Sequence, residues 1–538
     1  MASIRARVWL DDGVPRFPEL GLDDVQSRPS TGLCLSGGGT RATCAAIGYL
    51  RGLLELGLIE RLRYTSAVSG GSWASIPFSF WQTGASDDRE LLGPILPPQE
   101  LDHARLTAEL PPAYLGAAAT LSFRDSLFDD ICELKPGRAW VRAVAETFLQ
   151  RYGLYGPNTP RSPVLSVGAR DEILARQEPP ETSSALTADD FVVARPNRPF
   201  PIVSACLLGP DAGNNLVRLD PVSLQFTPLY VGSLPAHEIT YAYRRGDGLR
   251  RSVGGGLIEP FALGGPGPRE LSGASGQTLT LARPPGLDQL ALALGSSSCA
   301  YASAIHAIPE LNTSSGRVPC LDYWPPRRGQ VPASEAWELG DGGTIDNYGL
   351  LPLLQRELET IIVLVNTKQQ LSVDWTPGHG SYQPHIDPYL PPLFGVHEER
   401  ASIRLDRNQV FPSAEFAELV ADLQAAKRGG GPVIAVREHE VLDNAWWGIR
   451  GARKVRVAWV YLDRVARFEA LLPKSTQAAV EAGNARIAVG PCQRFPNYET
   501  IGANALSLVR FTPLQVRLLA NLCTWTVLDQ RELFEELL

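Results

Sequence analysis

The chain has 538 residues, 44% of them hydrophobic, which is enough to bury a large core. A formal charge of −8 excludes a general nucleic-acid binder, which would carry a basic balance. The eight cysteines are scattered with no C-x-x-C pair, so zinc and redox chemistry are not expected, and free thiols fit a reducing compartment.

The start, MASIRARVWLDDGVPRF, lacks the apolar stretch of a signal peptide. No window approaches the roughly 18 consecutive apolar residues of a membrane span. The expectation is a soluble cytoplasmic protein with no metal and no cofactor.

The first thirty residues are mixed and lead into the fold. GLCLS, 32–36, reads as a short buried strand. GGGTR follows, and then a helix from Ala42 to about Leu56, with Ile47, Leu50, Leu54 and Leu58 on its apolar face and Gly57 as its stop. TSAVS, 65–69, is the next strand. Strand, glycine turn, helix and strand form one βαβ unit, which implies parallel pairing and a right-handed crossover.

Residues 84–200 are less regular. GPILPPQE and RQEPPETSS are proline-rich breaks with helical stretches between them, such as 137–152, and the segment is a candidate cap or lid insertion. PFPIVSACLL, 199–208, reads as a buried strand, 217–232 is β-rich, and RSVGGGLIEPFALGG, 251–265, reads as a glycine-rich loop. Residues 287–305 suggest a buried helix of small residues. AWELGDGGTIDNYG, 336–349, is a strand end and a turn. LETIIVLVNT, 358–367, is a central-strand candidate. The stretch 396–428 ends in a helix, RKVRVAWVYLD alternates like a strand, and the tail from Pro513 to Leu538 is helical.

Serine chemistry needs a presented hydroxyl, a base, and fixed donors for the oxyanion. Ser69, in Ala67-Val68-Ser69-Gly70-Gly71, stands close to the nucleophile elbow G-x-S-x-G, with Ala in place of the first glycine. The alternative is an ordinary glycine-serine loop. SGGGTRA, 36–42, leaves unpaired N–H groups at a helix start, which is an anion site. It lacks the G-K-[ST] of a phosphate loop and the G-x-G-x-x-G of a dinucleotide fold. Its bland reading is a tight turn capped by Ser36, which is also a rival nucleophile. None of the seven histidines sits in a small-residue turn after an apolar strand. The best base is Asp341 in DGG, with Asp346 a weaker rival and a simple turn as the alternative.

Taken in order, LSGGGTRA, then a helix, then VSGGSW, then a distant DGG resemble the patatin-like and cytosolic phospholipase A2 superfamily. The closer likeness is to the group IV catalytic domain, with its S-G-G-G-x-R-A and G-L-S-G-S-T-W motifs. FTPLYVG, 226–232, and LALALGSSSCAYASA are similar to further segments of that family, so the likeness runs from about residue 30 to about 370. The resemblance implies a nucleophile at Ser69 and a base at Asp341, with no catalytic histidine. It implies an oxyanion hole at Gly38 and Gly39, and a substrate-binding or bracing role for Arg41.

It further implies an α/β three-layer sandwich with a central, mostly parallel sheet. The whole chain, 1–538, would be one catalytic domain, with 84–200 as cap or lid and 400–538 as an extension packed on the core. The activity implied is a phospholipase A2 or lysophospholipase acting on phospholipid or lysophospholipid. A catalytically idle lipid-binding scaffold is the alternative. Barely thirty residues precede the first strand, too few for the calcium-binding module of some family members, so calcium-independent activity is expected. NAWWGIRGARKVR, 444–456, combines paired Trp with basic residues. It reads either as a peripheral membrane contact or as a core-packing Trp pair before a strand.

Overall fold

A computed structural model describes residues 3–11, 17–82, 88–121, 136–157, 159, 162–177, 186–211, 216, 220–243, 248–284, 286, 288–302, 317–378, 381–397, 405–500 and 510–538. One large sheet of 13 strands runs through them. In chain order these are β1 (Ser3–Leu10), β2 (Thr31–Leu35), β3 (Tyr64–Val68), β4 (Phe200–Pro210), β5 (Val222–Phe226), β6 (Val231–Ser233), β7 (Gly256–Ile258), β8 (Gln277–Ala282), β9 (Cys320–Tyr323), β10 (Glu335–Asp341), β11 (Thr360–Val365), β12 (Val433–Val441) and β13 (Arg453–Tyr461). Their order across the sheet is β8-β1-β7-β6-β5-β4-β3-β2-β11-β13-β12, and β10 pairs with both β4 and β9.

The centre, β4-β3-β2-β11-β13, is parallel. Its inner strands β2, β3 and β11 are apolar runs buried almost throughout, as strands covered on both faces must be. The flanks are antiparallel, so four pairings are parallel against eight antiparallel. This corrects the expectation of a mostly parallel sheet. The reason is connection length. β5 and β6 are joined by a tight turn in which Thr227 N–H donates to Tyr230 O at 2.9 Å, and so short a link reverses the chain.

Two segments read otherwise from sequence also join the sheet. The first thirty residues include β1, whose Ile4, Ala6, Val8 and Leu10 alternate inward. The stretch taken as a glycine-rich loop holds β7. A Cβ on Gly256 would lie 2.4 Å from Trp9 O and 2.5 Å from Pro326 O, so this glycine permits close packing within a strand.

The helices that matter to the site are α1 (Gly39–Glu55), α2 (Gly70–Phe80), α3 (Gln289–Ser297), α4 (Lys474–Gly483) and α5 (Pro513–Asp529). α1 is buried along nearly its whole length. Its Gly48 and Gly52 let α5 approach: a Cβ on Gly48 would meet Ala520 O at 2.2 Å, and one on Gly52 would meet Val527 Cβ at 2.7 Å. The buried Arg51 is satisfied at this crossing by Thr524 Oγ1 (2.9 Å), Asn521 Oδ1 (3.1 Å) and Pro94 O (2.6 Å). In 84–200, Phe148 of the helix Pro136–Phe148 stacks on Trp73 of α2 at 4.5 Å. Residues 122–135 and 178–185 of that segment lie outside the described residues.

One detail of register positions the site. β3 occupies one edge of β4 up to the pair Val68↔Ser204. β5 holds the opposite edge over 203–207. β10 must therefore share the edge of β3, running towards it and ending at the pair Asp341↔Ala205. Two strands thus meet head to head along a third, and the residues that close the gap are Ser69 and Asp341.

Candidate active site

Ser69 follows the last residue of β3 and caps α2, with φ 51° and ψ −125°. That backbone region is strained for a side chain, at a cost on the order of 1–3 kcal/mol. Its surroundings hold it there. Ser72 donates to Ser69 O through both N–H (2.9 Å) and Oγ (2.6 Å). Ser69 N–H donates to Ser297 Oγ at 2.9 Å, and Ser297 passes its own proton to Ser204 O at 2.7 Å.

The two glycines after Ser69 have the same cause. A Cβ on Gly70 would lie 2.1 Å from Gly39 O, and one on Gly71 would lie 2.1 Å from Leu35 O. The start of α2 is pressed against the glycine turn that opens α1, and side chains there would separate the two.

The Ser69 hydroxyl donates to Asp341 Oδ2 at 2.9 Å. The other carboxylate oxygen accepts from Gly343 N–H at 2.7 Å. Both residues are nearly buried, Ser69 at 9% and Asp341 at 5% exposure. Burial pushes the Asp341 carboxyl up from its ordinary range to about 7, with the Gly343 and Ser69 hydrogen bonds pulling the other way. A carboxylate in this state is a competent base near neutral pH.

Gly38 (φ 136°) and Gly39 (φ 55°) turn the chain into α1 in conformations that favour glycine. Among the described residues, neither of their N–H groups has a recorded acceptor. A Cβ on Gly70 would lie 2.7 Å from Gly39 N, which puts that N–H beside the Ser69 turn. The N-termini of α1 and α2 converge here, and both favour negative charge.

Arg41 does not point to an open site. Its Nε and Nη2 donate to Asn366 O, both at 3.1 Å, and its Nη1 donates to Tyr498 O at 2.6 Å. Burial lowers its pKa to about 10, so it stays charged at neutral pH. Of the two roles left open from sequence, bracing is the one with partners on view.

Rival residues are engaged elsewhere. Ser36 is buried, and its Oγ accepts from Asn366 N–H at 2.9 Å. Asp346 accepts from the N–H groups of Tyr348, Gly349 and Leu351 at 3.1, 3.1 and 2.9 Å. Burial raises its pKa to about 6. No described histidine is hydrogen-bonded to Ser69; His439 sits between Glu415 and Trp459, and His385 meets Ser372. His306 and His379 lie outside the described residues.

The Trp pair packs inward. Trp447 is buried and donates to Asn408 Oδ1 at 3.2 Å. Trp446 is sandwiched by the His237 ring at 4.0 Å and the Arg407 guanidinium at 3.6 Å. The lipid-facing reading of 444–456 therefore gives way to the packing one.

Three residues gained no role from sequence. Ser297 lies in the small-residue helix and receives the Ser69 N–H. Asn347 O accepts from Gly37 N–H at 2.8 Å, and a Cβ on Gly37 would fall 2.3 Å from Asn347 Oδ1 and 3.2 Å from Ser69 Cβ. Asn366 is tied by its backbone to both Ser36 and Arg41, and its buried side-chain amide has no partner among the described residues. Asn347, four residues beyond the DGG turn, and Asn366, one residue beyond β11, carry no distinguishing local pattern.

Fold and site together define a mixed α/β protein with a buried serine–carboxylate pair between two helix N-termini. No family profile matches the chain. Among curated proteins it is similar to cytosolic phospholipase A2 delta from Mus musculus, 30% identical over 125 residues, 23% of this chain and 14% of that protein. It is also similar to cytosolic phospholipase A2 zeta from Mus musculus, 43% identical over 60 residues, 11% of this chain and 7% of that protein. The matched stretches thus span a small part of those relatives. Among solved structures, human GIVD cytosolic phospholipase A2 aligns over 95% of this chain and 62% of its own, with 14% identity and a TM-score of 0.46. Its complex with methyl gamma-linolenyl fluorophosphonate aligns over 95% and 58%, with 14% identity and a TM-score of 0.39. The group that this chain resembles is the group IV cytosolic phospholipases A2. Among the described residues, no helix is long and apolar enough to cross a membrane.

Proposed function

We propose that this protein is a calcium-independent acyl-ester hydrolase of the phospholipase A2 or lysophospholipase type, working through a dyad of Ser69 and Asp341. The observation that carries this reading is the 2.9 Å hydrogen bond from the Ser69 hydroxyl to a buried carboxylate, next to the Gly38 and Gly39 N–H groups, which have no acceptor among the described residues. Ser69 Oγ attacks the ester carbonyl carbon as Asp341 Oδ2 takes its proton. The oxyanion forms against the N–H groups of Gly38 and Gly39. Asp341 returns the proton to the departing alkoxide, leaving an acyl group on Ser69. Water then attacks the acyl carbonyl, giving its proton to the same carboxylate, and the fatty acid and free serine are released.

The substrate is a phospholipid or lysophospholipid, reached from the cytoplasm through peripheral contact with a membrane, and nucleic acid is not a partner. Arg41 braces the oxyanion turn from behind. The described parts of segment 84–200, which reach Trp73 through Phe148, act as a cap over the site, and the chain acts as a single three-layer catalytic unit.

The test is a fluorophosphonate probe combined with fatty-acid release from a phospholipid panel in the presence of a calcium chelator. The expected result is labelling and turnover in the wild type, and neither in Ser69→Ala. Lipid binding without labelling or turnover would assign the protein instead to an idle scaffold. Turnover that stops with the chelator would remove calcium independence.

A further inference from the structure

The segment after α4 forms a pinched loop. At its neck Arg494 N–H donates to Gly483 O at 2.8 Å, and Val489 N–H donates to Ala482 O at 3.2 Å. A Cβ on Gly483 would lie 2.1 Å from Cys492 O, so the two sides of the neck touch. Ile487, beyond that neck, is 81% exposed, and the side chain of Val489, whose N–H helps close the neck, is 56% exposed. Single exposed aliphatics are ordinary, and among the described residues Leu121, Val167 and Leu471 are such cases at 40%, 52% and 38%, but here two stand two residues apart on one loop.

The loop is tied to the brace of the glycine turn. Its base is strapped to the segment that follows β11: Gln370 Nε2 donates to Asn484 Oδ1 at 3.2 Å, Arg494 Nη2 to Lys368 O at 3.1 Å, and Asn497 Nδ2 to Thr367 O at 3.1 Å. Two residues before Lys368, Asn366 receives Arg41. Further along, Tyr498 receives the other end of Arg41, and a Cβ on Gly39 would meet Thr500 Cβ at 3.2 Å. The strap that carries the apolar tip is therefore the one that braces the glycine turn beside Ser69.

The charge around the tip opposes that of the chain. Residues 366–370 and 484–500 hold Lys368, Arg486 and Arg494 against the single acid Glu499, which pairs with Arg494 at 2.6 Å and lies 4.0 Å from Lys368, leaving a local excess of positive charge in a protein of net charge −8. An apolar tip flanked by cations is the pattern of a segment that sits at a bilayer surface, with side chains among the acyl chains and basic groups on anionic headgroups.

We propose that the loop 484–491, with the exposed Ile487 and Val489 and with Lys368, Arg486 and Arg494 around it, docks this protein on an anionic lipid surface. This rests on the lipid-hydrolase reading for its purpose but not for its test. The measurement is co-flotation of full-length Ser69→Ala protein with phosphatidylcholine vesicles, with and without phosphatidylserine. The variants, made in that background, are Ile487→Asp/Val489→Asp and Arg486→Glu. Each should weaken binding to the anionic vesicles by about tenfold or more, given contributions of about 1 kcal/mol per basic residue. In the Ser69 wild-type background, both variants should keep fluorophosphonate labelling in lipid-free solution, which shows that the fold and site survive.

Equal flotation of variants and parent overturns the proposal, as does a parent that binds no vesicles. Loss of self-association in the variants with unchanged flotation also overturns it, assigning the tip to a second copy of the chain. If Ser69 fails to label while flotation still depends on the tip, the hydrolase reading falls and the docking surface stands.

Discussion

Gly70 rests directly on Gly39: a Cβ on the first would lie 2.1 Å from the carbonyl oxygen of the second. The start of one helix touches the start of another through backbone alone. Gly70→Ala must therefore push the Ser69 turn away from the glycine turn. Overpacking of this kind costs about 1–3 kcal/mol. The expected outcome is a lower denaturant midpoint and loss of fluorophosphonate labelling out of proportion to the stability lost. Normal labelling in the alanine variant would show that the contact does not set the site.

The pH profile should have an acidic limb set by Asp341. Its carboxyl titrates at about 7 in the fold, and only the ionised form accepts the serine proton. kcat/KM on a soluble ester is expected to fall tenfold per pH unit below that value and to level off above it. A profile flat down to pH 5 would remove Asp341 as the base.

The same carboxyl makes a stability prediction of opposite sense. Its pKa is higher in the fold than the ordinary 3.8 of an unfolded chain, so the folded state binds more protons between those values. The contribution of this carboxyl to stability is then fully present below about pH 4 and is lost as pH rises through about 7. Asp341→Asn removes the ionisation. The variant should be more stable than the wild type at pH 8, by a few kcal/mol at most, and the gap should narrow towards pH 5. Thermal unfolding at the two pH values reads this directly.

Arg41 joins two carbonyls that belong to distant parts of the chain. Arg41→Lys keeps the charge but cannot serve both Asn366 O and Tyr498 O, so a buried acceptor is left unmet at about 1–3 kcal/mol. A bracing role predicts equal losses of kcat/KM on a phospholipid and on a neutral ester. A loss confined to the phospholipid would instead mark a phosphate contact.

Ser297→Ala removes the acceptor of the Ser69 N–H. The variant should fold, lose about 1 kcal/mol of stability, and turn over more slowly with KM little changed, because the strained turn loosens. Steady-state kinetics beside a denaturant titration separate these effects.

Much of this was legible in the chain. The runs around Leu33, Ala67 and Ile362 are continuous and apolar, as strands covered on both faces must be, and they proved to be the parallel centre. Ser69 and Asp341 each stood out because glycines follow a strand-like run. The alternation at Ile4, Ala6, Val8 and Leu10 was also present but short, and a polar lead-in obscured it. Gly254, Gly255 and Gly256 suggested a loop because a glycine allowing close backbone approach looks the same in sequence as one making a turn. Trp446 and Trp447 left membrane contact and core packing both open because their partners, His237, Arg407 and Asn408, lie far away in the chain. The apolar tip at Ile487 and Val489 has no periodicity to announce it, and only exposure in the folded molecule sets it apart.

The end-to-end arrangement of β3 and β10 along β4 makes the pairing of alcohol and acid a matter of ladder alignment. The long connection between the two strands can grow, shrink or be rebuilt over evolutionary time without altering the gap, provided both strands keep their place on β4. Conversely, sliding β10 by a single residue would draw the acid back by about 3.3 Å and turn its side chain to the other face. Diversity in such proteins should therefore accumulate in the intervening loops, while the few residues locking that alignment tolerate almost nothing.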